Sequence, residues 1–562
     1  MKFFIVCVVI VSLVVFAASG CGKKTNRQEK ADAFLEKYLK ENAGIYVTLA
    51  ANYWKAANSG KKEDFEAYGK AELEMKKLHS SSEDFAQIEE LLTHGAELKP
   101  ITLRTLKVAE LDFKGNQLPE DILEKLSKPA AEIEQSFTNF RGKVADKEYS
   151  DNELKGMLKK EIDSAKRQEI WEALKQVGAA VAPRLIDLAK VRNEAAKKLG
   201  YKDYWEMSIR LQEHDPQQLI TIFADLEKMT DEPFKKMKAK MDAELAERFK
   251  IKAEEMMPWH YDNPFFQEPP PSAAIDLDIF FQDKTKEDIV ALSKKFFADM
   301  GLPIEDIIQR SDLYERAGKM QHAFSISMDR AGDCRVLVNI KPSAYWTDTI
   351  LHEMGHAVYD TFIDFSMPYN LCDPAHAFTT EAIAMLFGAQ AKNPLWIANY
   401  TGADAEKVKA AGPAILEQRL REQLIFARWT LVMFNFEKAL YENPDQDLNK
   451  LWWDMVERYQ MLKRPEGRNA PDWAAKIHFT IAPVYYHNYM LGELFAAQLR
   501  GVMVKLAKHE GPAATLNYGK KEFGDFFKEK VFKPGKLHPW PKFVEEATGE
   551  PLSPKYFAQE VK

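Results

Sequence analysis

Two histidines and a glutamate near the middle of the chain have the types and spacing that suit a metal site with a base beside it. His352 and His356 are four residues apart, so on a helix both imidazoles project from one face and can share a metal ion, with Glu353 beside them as a candidate base. The same pattern also arises by chance on solvated helices. Here apolar residues recur around it at helical spacing and no proline lies in residues 343–366, which favours a helix. We therefore predict that the two histidines bind zinc.

A catalytic zinc site needs a third protein ligand and one open position. The best candidate is Glu381, 25 residues after His356, in an apolar run that predicts a second helix packed against the first. A carboxylate on that helix would face the histidines, although an ordinary surface glutamate has the same appearance in sequence. Asp373 and His376 are weaker rival ligands.

Three separated segments, in the same order along the chain, resemble the zinc peptidyl-dipeptidase family typified by angiotensin-converting enzyme. The family carries H-E-M-G-H, then a glutamate ligand in E-A-I, then a block with K-x-H and Y-x-x-Y. The matching residues here lie at 352–356, 381–383 and 476–489, and the resemblance covers most of the chain after the leader. It implies one Zn²⁺ per chain, held by the two motif histidines and Glu381.

The resemblance also implies roles for the downstream residues. His478 and Tyr489 would hydrogen-bond the oxyanion that forms when the scissile carbonyl is attacked. Lys476 and Tyr486 would anchor the free C-terminal carboxylate of the substrate, which makes the enzyme an exopeptidase. The run between His478 and Tyr489 is one residue longer than in the family, so Tyr485 is the alternative to Tyr486. On spacing alone, these tyrosines are equally typical of the buried face of a helix.

A predicted hairpin carries a further match. Short apolar runs at 320–328 and 334–340 flank the turn 329–333, which predicts two antiparallel strands. His322 and Ala323 on the first run resemble the family's H-A on a substrate-binding strand. An edge strand at this point would pair with an extended peptide.

The chain also departs from the family. Asn488 stands where the family has a chloride-binding arginine, which puts chloride activation in doubt. Met385 stands where the family often has an aspartate, so another group must orient the metal ligands. Cys334 and Cys372 would be able to pair in an oxidising compartment, but Gln321 occupies the position of the family's nearby partner cysteine, and their pairing stays open.

Composition fits a large globular enzyme. With 562 residues, 46% of them hydrophobic and 12% aromatic, the chain can bury a sizeable core. A net charge of −7 gives no reason to expect nucleic acid as a partner, and four cysteines exclude a disulfide framework. The sequence does not indicate an oligomeric state.

The N-terminus is typical of a bacterial lipoprotein signal. Lys2 precedes an apolar run at 3–18, and small residues then lead to Cys21. We predict a signal peptide at 1–20 and lipid attachment at Cys21, which would hold an exported catalytic domain at a bacterial membrane, in the periplasm or outside the cell. Ordinary secretory cleavage or a retained anchor is the alternative. A polar tether at 21–30 would lead into a single domain at 31–562.

Helical periodicity dominates this domain, including the charged segments at 60–165 and 217–256, while the proline-rich stretch after Trp259 predicts a long loop. We predict a mainly α fold with a small antiparallel sheet. From the resemblance, two lobes would enclose a deep central cleft that admits peptides.

Three functions of different class fit these observations. The first is a lipid-anchored zinc peptidyl-dipeptidase acting on oligopeptides. The second is a related oligoendopeptidase or carboxypeptidase with the same metal chemistry. The third is a non-catalytic peptide-binding lipoprotein, against which Glu353 argues, because a binding protein has no need of a base.

Overall fold

The computed structural model describes residues 26–270 and 275–562. The helices are α1 (Arg27–Ser59), α2 (Lys62–His79), α3 (Ser82–Thr93), α4 (Pro100–Lys114), α5 (Glu120–Asn139), α6 (Asp151–Lys160), α7 (Ser164–Lys198), α8 (Tyr204–Leu211), α9 (Pro216–Phe249), α10 (Lys286–Asp299), α11 (Glu305–Arg310), α12 (Ala344–Thr361), α13 (Ala377–Gly388), α14 (Pro394–Tyr400), α15 (Ala405–Glu442), α16 (Leu448–Met455), α17 (His478–Ile481), α18 (His487–Leu506), α19 (Lys521–Phe526), α20 (Trp540–Thr548) and α21 (Lys555–Glu560). The strands are β1 (Gly142–Val144), β2 (Lys147–Tyr149), β3 (Phe324–Ser327) and β4 (Cys334–Leu337). The predicted mainly α fold is confirmed.

The predicted leader and Cys21 lie outside the described residues. Helix α1 begins at Arg27, inside the stretch predicted as a tether. Among the described residues, no helix has both the length and the apolar character needed to cross a bilayer.

Several helices begin at a polar residue whose side chain accepts a hydrogen bond from the first turn. Asp163, Asp215 and Asp404 cap α7, α9 and α15 in this way, and Ser343 caps α12. Each cap satisfies a backbone N–H that has no partner within its own helix. Short-range sequence therefore fixes where these helices start.

The hairpin predicted around the turn 329–333 is present. Strands β3 and β4 are antiparallel, with Phe324 opposite Leu337 and Ser327 opposite Cys334. In the turn, the Asp329 carboxylate accepts hydrogen bonds from two backbone amides, and Gly332 has a φ of +109°.

A second hairpin, β1–β2, lies inside the stretch predicted as helical. Its strands have three residues each and pair Gly142 with Tyr149. A Cβ atom at Gly142 would lie 2.6 Å from the carbonyl oxygen of Ala173, so the hairpin packs directly on α7. Strands this short have no detectable period of their own, which is why the helical prediction was wrong here.

Buried apolar side chains of the described residues form two clusters. The smaller cluster lies among the four helices α1, α2, α3 and α4 and includes Phe34, Leu106 and Phe113. The larger cluster contains α12, α13, α15 and α18, the helices that carry most of the candidate site. The predicted two lobes and deep cleft stay predictions.

Candidate active site

Helix α12 carries the two histidines of the motif on one face. The helix is anchored by a buried apolar face that includes Ile350, Leu351, Met354 and Val358. The rings of His352 and His356 lie 5.0 Å apart between centroids, and their side chains are 27% and 17% exposed. The predicted helix therefore presents both imidazoles side by side.

Helix α13 passes unusually close to α12 and brings in Glu381. A Cβ atom at Gly355 would lie 2.8 Å from the Cα atom of Ala384, so the two backbones meet where a side chain would not fit. The Glu381 carboxylate oxygens lie 3.8 Å from Nε2 of His352 and 4.0 Å from Nε2 of His356. Close helix packing thus completes a three-residue donor set.

This donor set fits zinc. The three donor atoms all lie within 4.8 Å of one another, and two imidazoles with one carboxylate are a common zinc ligand set. Burial lowers the pKa of both histidines, which keeps them neutral with a lone pair free to bind a metal. Burial also raises the pKa of Glu381 to about 7. His352, His356 and Glu381 are the residues that would hold the metal.

The two rival ligands are engaged elsewhere. Asp373 forms ion pairs with Lys536 at 2.6 Å and Arg330 at 3.5 Å. His376 caps α13, where its Nδ1 accepts from the Phe378 amide at 3.2 Å and its Nε2 lies 2.8 Å from the carbonyl oxygen of Gln212. Neither residue belongs to the metal donor set.

Thr380 orients His356, a role that the sequence did not reveal. Its hydroxyl lies 2.7 Å from Nδ1 of His356, which leaves Nε2 to face Glu381. A hydrogen bond to the second ring nitrogen fixes the tautomer and orientation of a metal-binding histidine. Thr380 thus supplies the hydrogen bond that orients a ligand, which the thioether of Met385 cannot do. The one feature of the sequence that pointed to Thr380 was its position directly before Glu381.

A cavity of about 410 Å³, here called the zinc cavity, contains the donor set. Glu353 lines it and is 8% exposed; burial, and secondarily the nearby Glu381, raise its pKa to about 8. Strand β3 forms another wall, together with the half-buried Ala323. His322 is exposed at the bend before β3 and is not among the residues that line the zinc cavity.

Lys476 lies close to Gln267 and Tyr486, two further side chains with hydrogen-bond donors. Its ammonium group is almost buried and donates to Oε1 of Gln267 at 2.6 Å. The Tyr486 ring lies 5.4 Å from the same nitrogen. No described residue accepts a hydrogen bond from the side-chain amide of Gln267 or from the Tyr486 hydroxyl. We call Lys476, Gln267 and Tyr486 the clamp.

A second cavity, of about 510 Å³, is lined by Lys476, Gln267 and His478. Burial lowers the pKa of His478 to about 4, an effect to which Lys476 adds, so this imidazole is neutral at pH 7. Its Nδ1 atom is buried without a hydrogen-bond partner among the described residues. We call this space the clamp cavity.

The tyrosines connect the clamp to the donor set. The ring of Tyr486 lies 5.1 Å from that of His478 and 5.3 Å from that of Tyr489. Tyr489 is close enough to Glu381 for that carboxylate to raise its pKa, although burial is the larger cause. Tyr485 packs on Tyr489 and also lies near Glu381, whereas Tyr486 is the tyrosine of this pair that contacts Lys476.

Asn488 is fully buried and lies in neutral surroundings. Its amide nitrogen donates to Oε1 of Gln212 at 2.7 Å, and its oxygen lies 3.3 Å from Nε2 of His214. The neighbouring rings of His376 and His487 are also buried, and burial lowers the pKa of all three histidines. These four side chains supply no positive charge for an anion at neutral pH.

Cys334 and Cys372 are both buried, and neither forms a disulfide within the described part of the chain. The possible pairing that the sequence left open is therefore absent.

Comparisons with known proteins agree with the site. The family model for angiotensin-converting enzyme, peptidase family M2, matches residues 25–554. The rabbit (Oryctolagus cuniculus) angiotensin-converting enzyme is 25% identical over 208 residues, which is 36% of this chain and 16% of that protein. The enzyme of Theromyzon tessulatum is 24% identical over 300 residues, 51% of this chain and 48% of the relative. Carboxypeptidase 1 of Bacillus subtilis is 24% identical over 315 residues, 51% and 58% of the two chains.

These alignments span between about one sixth and three fifths of the relatives' own lengths. The family model, in contrast, covers nearly the whole chain, including the donor set, the clamp and the tyrosines between them. The chain therefore belongs to the angiotensin-converting enzyme family of zinc metallopeptidases.

Proposed function

We propose that this protein hydrolyses oligopeptides with zinc and releases dipeptides from their C-termini. The observation that carries the proposal is the pairing of two features: a buried carboxyl group, Glu353, beside a zinc donor set, and a clamp around Lys476 whose remaining donors find no acceptor among the described residues. The first feature supports peptide hydrolysis. The second supports recognition of a free carboxylate.

His352, His356 and Glu381 would hold the zinc, which would supply Lewis acidity to activate water and polarise the scissile carbonyl. Glu353 takes the proton from the attacking water and later delivers it to the leaving amine. His478 and Tyr489 donate hydrogen bonds to the oxyanion as it forms. The peptide extends along β3, whose residues are half-exposed beside Ala323 and leave room for backbone pairing.

The clamp determines which bond is cut. Lys476 donates one hydrogen bond to Gln267, and its other protons, the Tyr486 hydroxyl and the Gln267 amide have no acceptor among the described residues. A charge-assisted hydrogen bond from an ammonium to a carboxylate is about twice as strong as a neutral one, so a C-terminal amide is discriminated against. Lys476 matches the lysine of the family members that release dipeptides. This match supports cleavage two residues before the C-terminus of the substrate.

One observation favours an endopeptidase as a second candidate. The clamp cavity, at about 510 Å³, is larger than a single side chain requires and extends beyond Lys476 to α5, α6 and the β1–β2 hairpin. A longer peptide would be able to continue into this space. The register is therefore the point to be tested.

The test is mass spectrometry of a nonapeptide digested by the zinc-loaded protein. We expect dipeptides to leave in succession from the C-terminus, and amidation of that terminus to slow cleavage sharply. Lys476→Ala should erase the difference between the two peptides. Release of single amino acids would assign a carboxypeptidase, and internal cuts that ignore amidation would assign an endopeptidase.

We also propose lipid attachment at Cys21 after export. The support is the sequence alone, a small-residue pattern before a cysteine at the end of an apolar run. Cys21→Ala should move the protein from the membrane fraction to the soluble exported fraction, and mass spectrometry of the wild-type N-terminus should show the lipid. An unmodified Cys21 would contradict the proposal.

A further inference from the structure

Three aromatic rings surround the ammonium group of Lys476. Its nitrogen lies 5.5 Å from the ring centroid of Phe265, 5.1 Å from that of Trp429 and 5.4 Å from that of Tyr486. Aromatic faces attract a cation at such distances. No carboxylate of the described residues lies within ion-pair distance of Lys476, so the rings and Gln267 are its immediate partners. We call the three rings the aromatic cage.

Trp429 is the member of the aromatic cage that donates a hydrogen bond to another member. It lies fully buried on α15, and its indole N–H donates to the hydroxyl oxygen of Tyr486 at 2.8 Å. An indole has one donor and no acceptor, so the Tyr486 oxygen must be the acceptor. The hydroxyl proton of Tyr486 is thereby left to donate elsewhere, and no described residue accepts it.

Packing holds Trp429 in this orientation. Its ring lies 5.9 Å from that of Trp452 and 5.5 Å from that of Phe265, with tilted or edge-on geometry. The Tyr486 ring stands almost perpendicular to it, at 89°. A residue enclosed in this way has one orientation available to its N–H group.

We propose that Trp429 is a positioning residue for substrate recognition: it directs the Tyr486 proton toward the substrate carboxylate and holds Lys476 at the same point. This inference rests on the proposed function, because it concerns the clamp of the same site. The accepted hydrogen bond also polarises the Tyr486 hydroxyl and makes it a stronger donor. Trp429 acts through Tyr486 and Lys476 and does not itself touch the substrate.

The test measures binding, separately from catalysis. In a zinc-loaded Glu353→Gln background the peptides should stay intact, so calorimetry can give Kd for a nonapeptide with a free C-terminus and for its amide. Trp429→Phe keeps an aromatic ring and removes the N–H. We expect Kd for the free acid to rise about tenfold, the loss of roughly one hydrogen bond, and Kd for the amide to change little.

Coupling to Tyr486 distinguishes positioning from a structural role. Tyr486→Phe alone should weaken free-acid binding to a similar extent, and adding Trp429→Phe should cause little further loss, because the two groups act through one hydrogen bond. Trp540→Phe is the matched control: Trp540 is also fully buried and donates its N–H, to the Glu213 carbonyl at 3.1 Å, but it lies on α20. It should not change the preference for the free acid.

Equal weakening of both peptides by Trp429→Phe, or additive losses in the double variant, would overturn the inference. If Trp429→Phe fails to fold, benzothienylalanine at position 429 keeps the bicyclic shape without the N–H and gives the same comparison. The two proposals fail separately. A wild-type protein that cleaves no peptide contradicts the proposed function, whereas the binding preference and its loss in Trp429→Phe are measured without turnover.

Discussion

Glu353 is the residue on which turnover depends most directly. Glu353 is almost buried and lines the zinc cavity beside the donor set, so its carboxyl group is placed to exchange a proton with water there. Glu353→Gln preserves the side-chain shape and the metal donors, so we expect normal zinc content and a loss of kcat of about 10²- to 10⁴-fold. Measuring the zinc content and the rate of peptide hydrolysis of the same Glu353→Gln preparation checks both expectations. Near-normal turnover would remove Glu353 from the mechanism.

Tyr489 tests the oxyanion assignment. Tyr489→Phe keeps the ring contacts with Tyr485 and Tyr486 but removes the hydroxyl. We expect kcat to fall about 10²-fold with little change in KM, because an oxyanion donor acts mainly in the transition state. Steady-state kinetics separates the two constants, and a rise in KM alone would make Tyr489 a substrate contact.

Lys476 gives recognition a pH dependence. Burial, with Lys155 adding to the effect and Glu268 opposing it, lowers the pKa of Lys476 to about 7. This lysine is charged below that pH and neutral above it, so kcat/KM for a peptide with a free C-terminus should fall as pH rises through about 7. The amidated peptide should lack this decline. Identical pH profiles for the two peptides would contradict the role of Lys476.

At the scale of elements, the site depends on how closely α12 and α13 approach. Alanine is a better helix former than glycine by about 1 kcal/mol, but a Cβ at Gly355 would lie 2.8 Å from the Cα of Ala384. Gly355→Ala should therefore separate the helices, lower the free energy of unfolding by about 1–3 kcal/mol and weaken zinc binding by moving Glu381 from the histidines. Denaturant unfolding and zinc titration measure both effects.

Gly156 provides the control for this prediction. It lies within α6, and a Cβ atom there would have no neighbour within 4 Å. Gly156→Ala should leave zinc affinity unchanged and stabilise the protein by about 0.4–1 kcal/mol. If both alanine variants behave alike, close packing at Gly355 does not set the geometry of the donor set.

For the whole molecule, zinc is expected to hold the core helices together. Its ligands come from α12 and α13, and its removal leaves the buried carboxyl groups of Glu353 and Glu381 near each other without a cation. A ligand a thousandfold above its Kd stabilises the folded state by about 4 kcal/mol. Treatment with phenanthroline should therefore abolish hydrolysis and lower Tm by a few degrees, and zinc should restore both. Full activity after verified zinc removal would contradict the metal assignment.

Features that depend on local geometry were predictable from the order of the residues. A helical repeat places residues four apart on one face, so His352 and His356 were predictable as a pair. The β3–β4 hairpin followed from two apolar runs around a turn rich in Asp and Gly. The downstream residues Lys476 and Tyr486 were identified by resemblance, and the structure places them in contact.

Which distant residues meet became visible in the folded chain. The structure identifies Glu381 as the third donor, because Asp373 is engaged in an ion pair and His376 in a helix cap. It also shows the Thr380 hydroxyl beside the His356 ring. It also placed Gln267 against Lys476 across 209 residues of chain. Contacts such as these leave no periodic pattern in the sequence, because they depend on how packed helices approach one another. Once polar groups are buried by that packing, each of them needs a hydrogen-bond partner from whichever segment lies beside it.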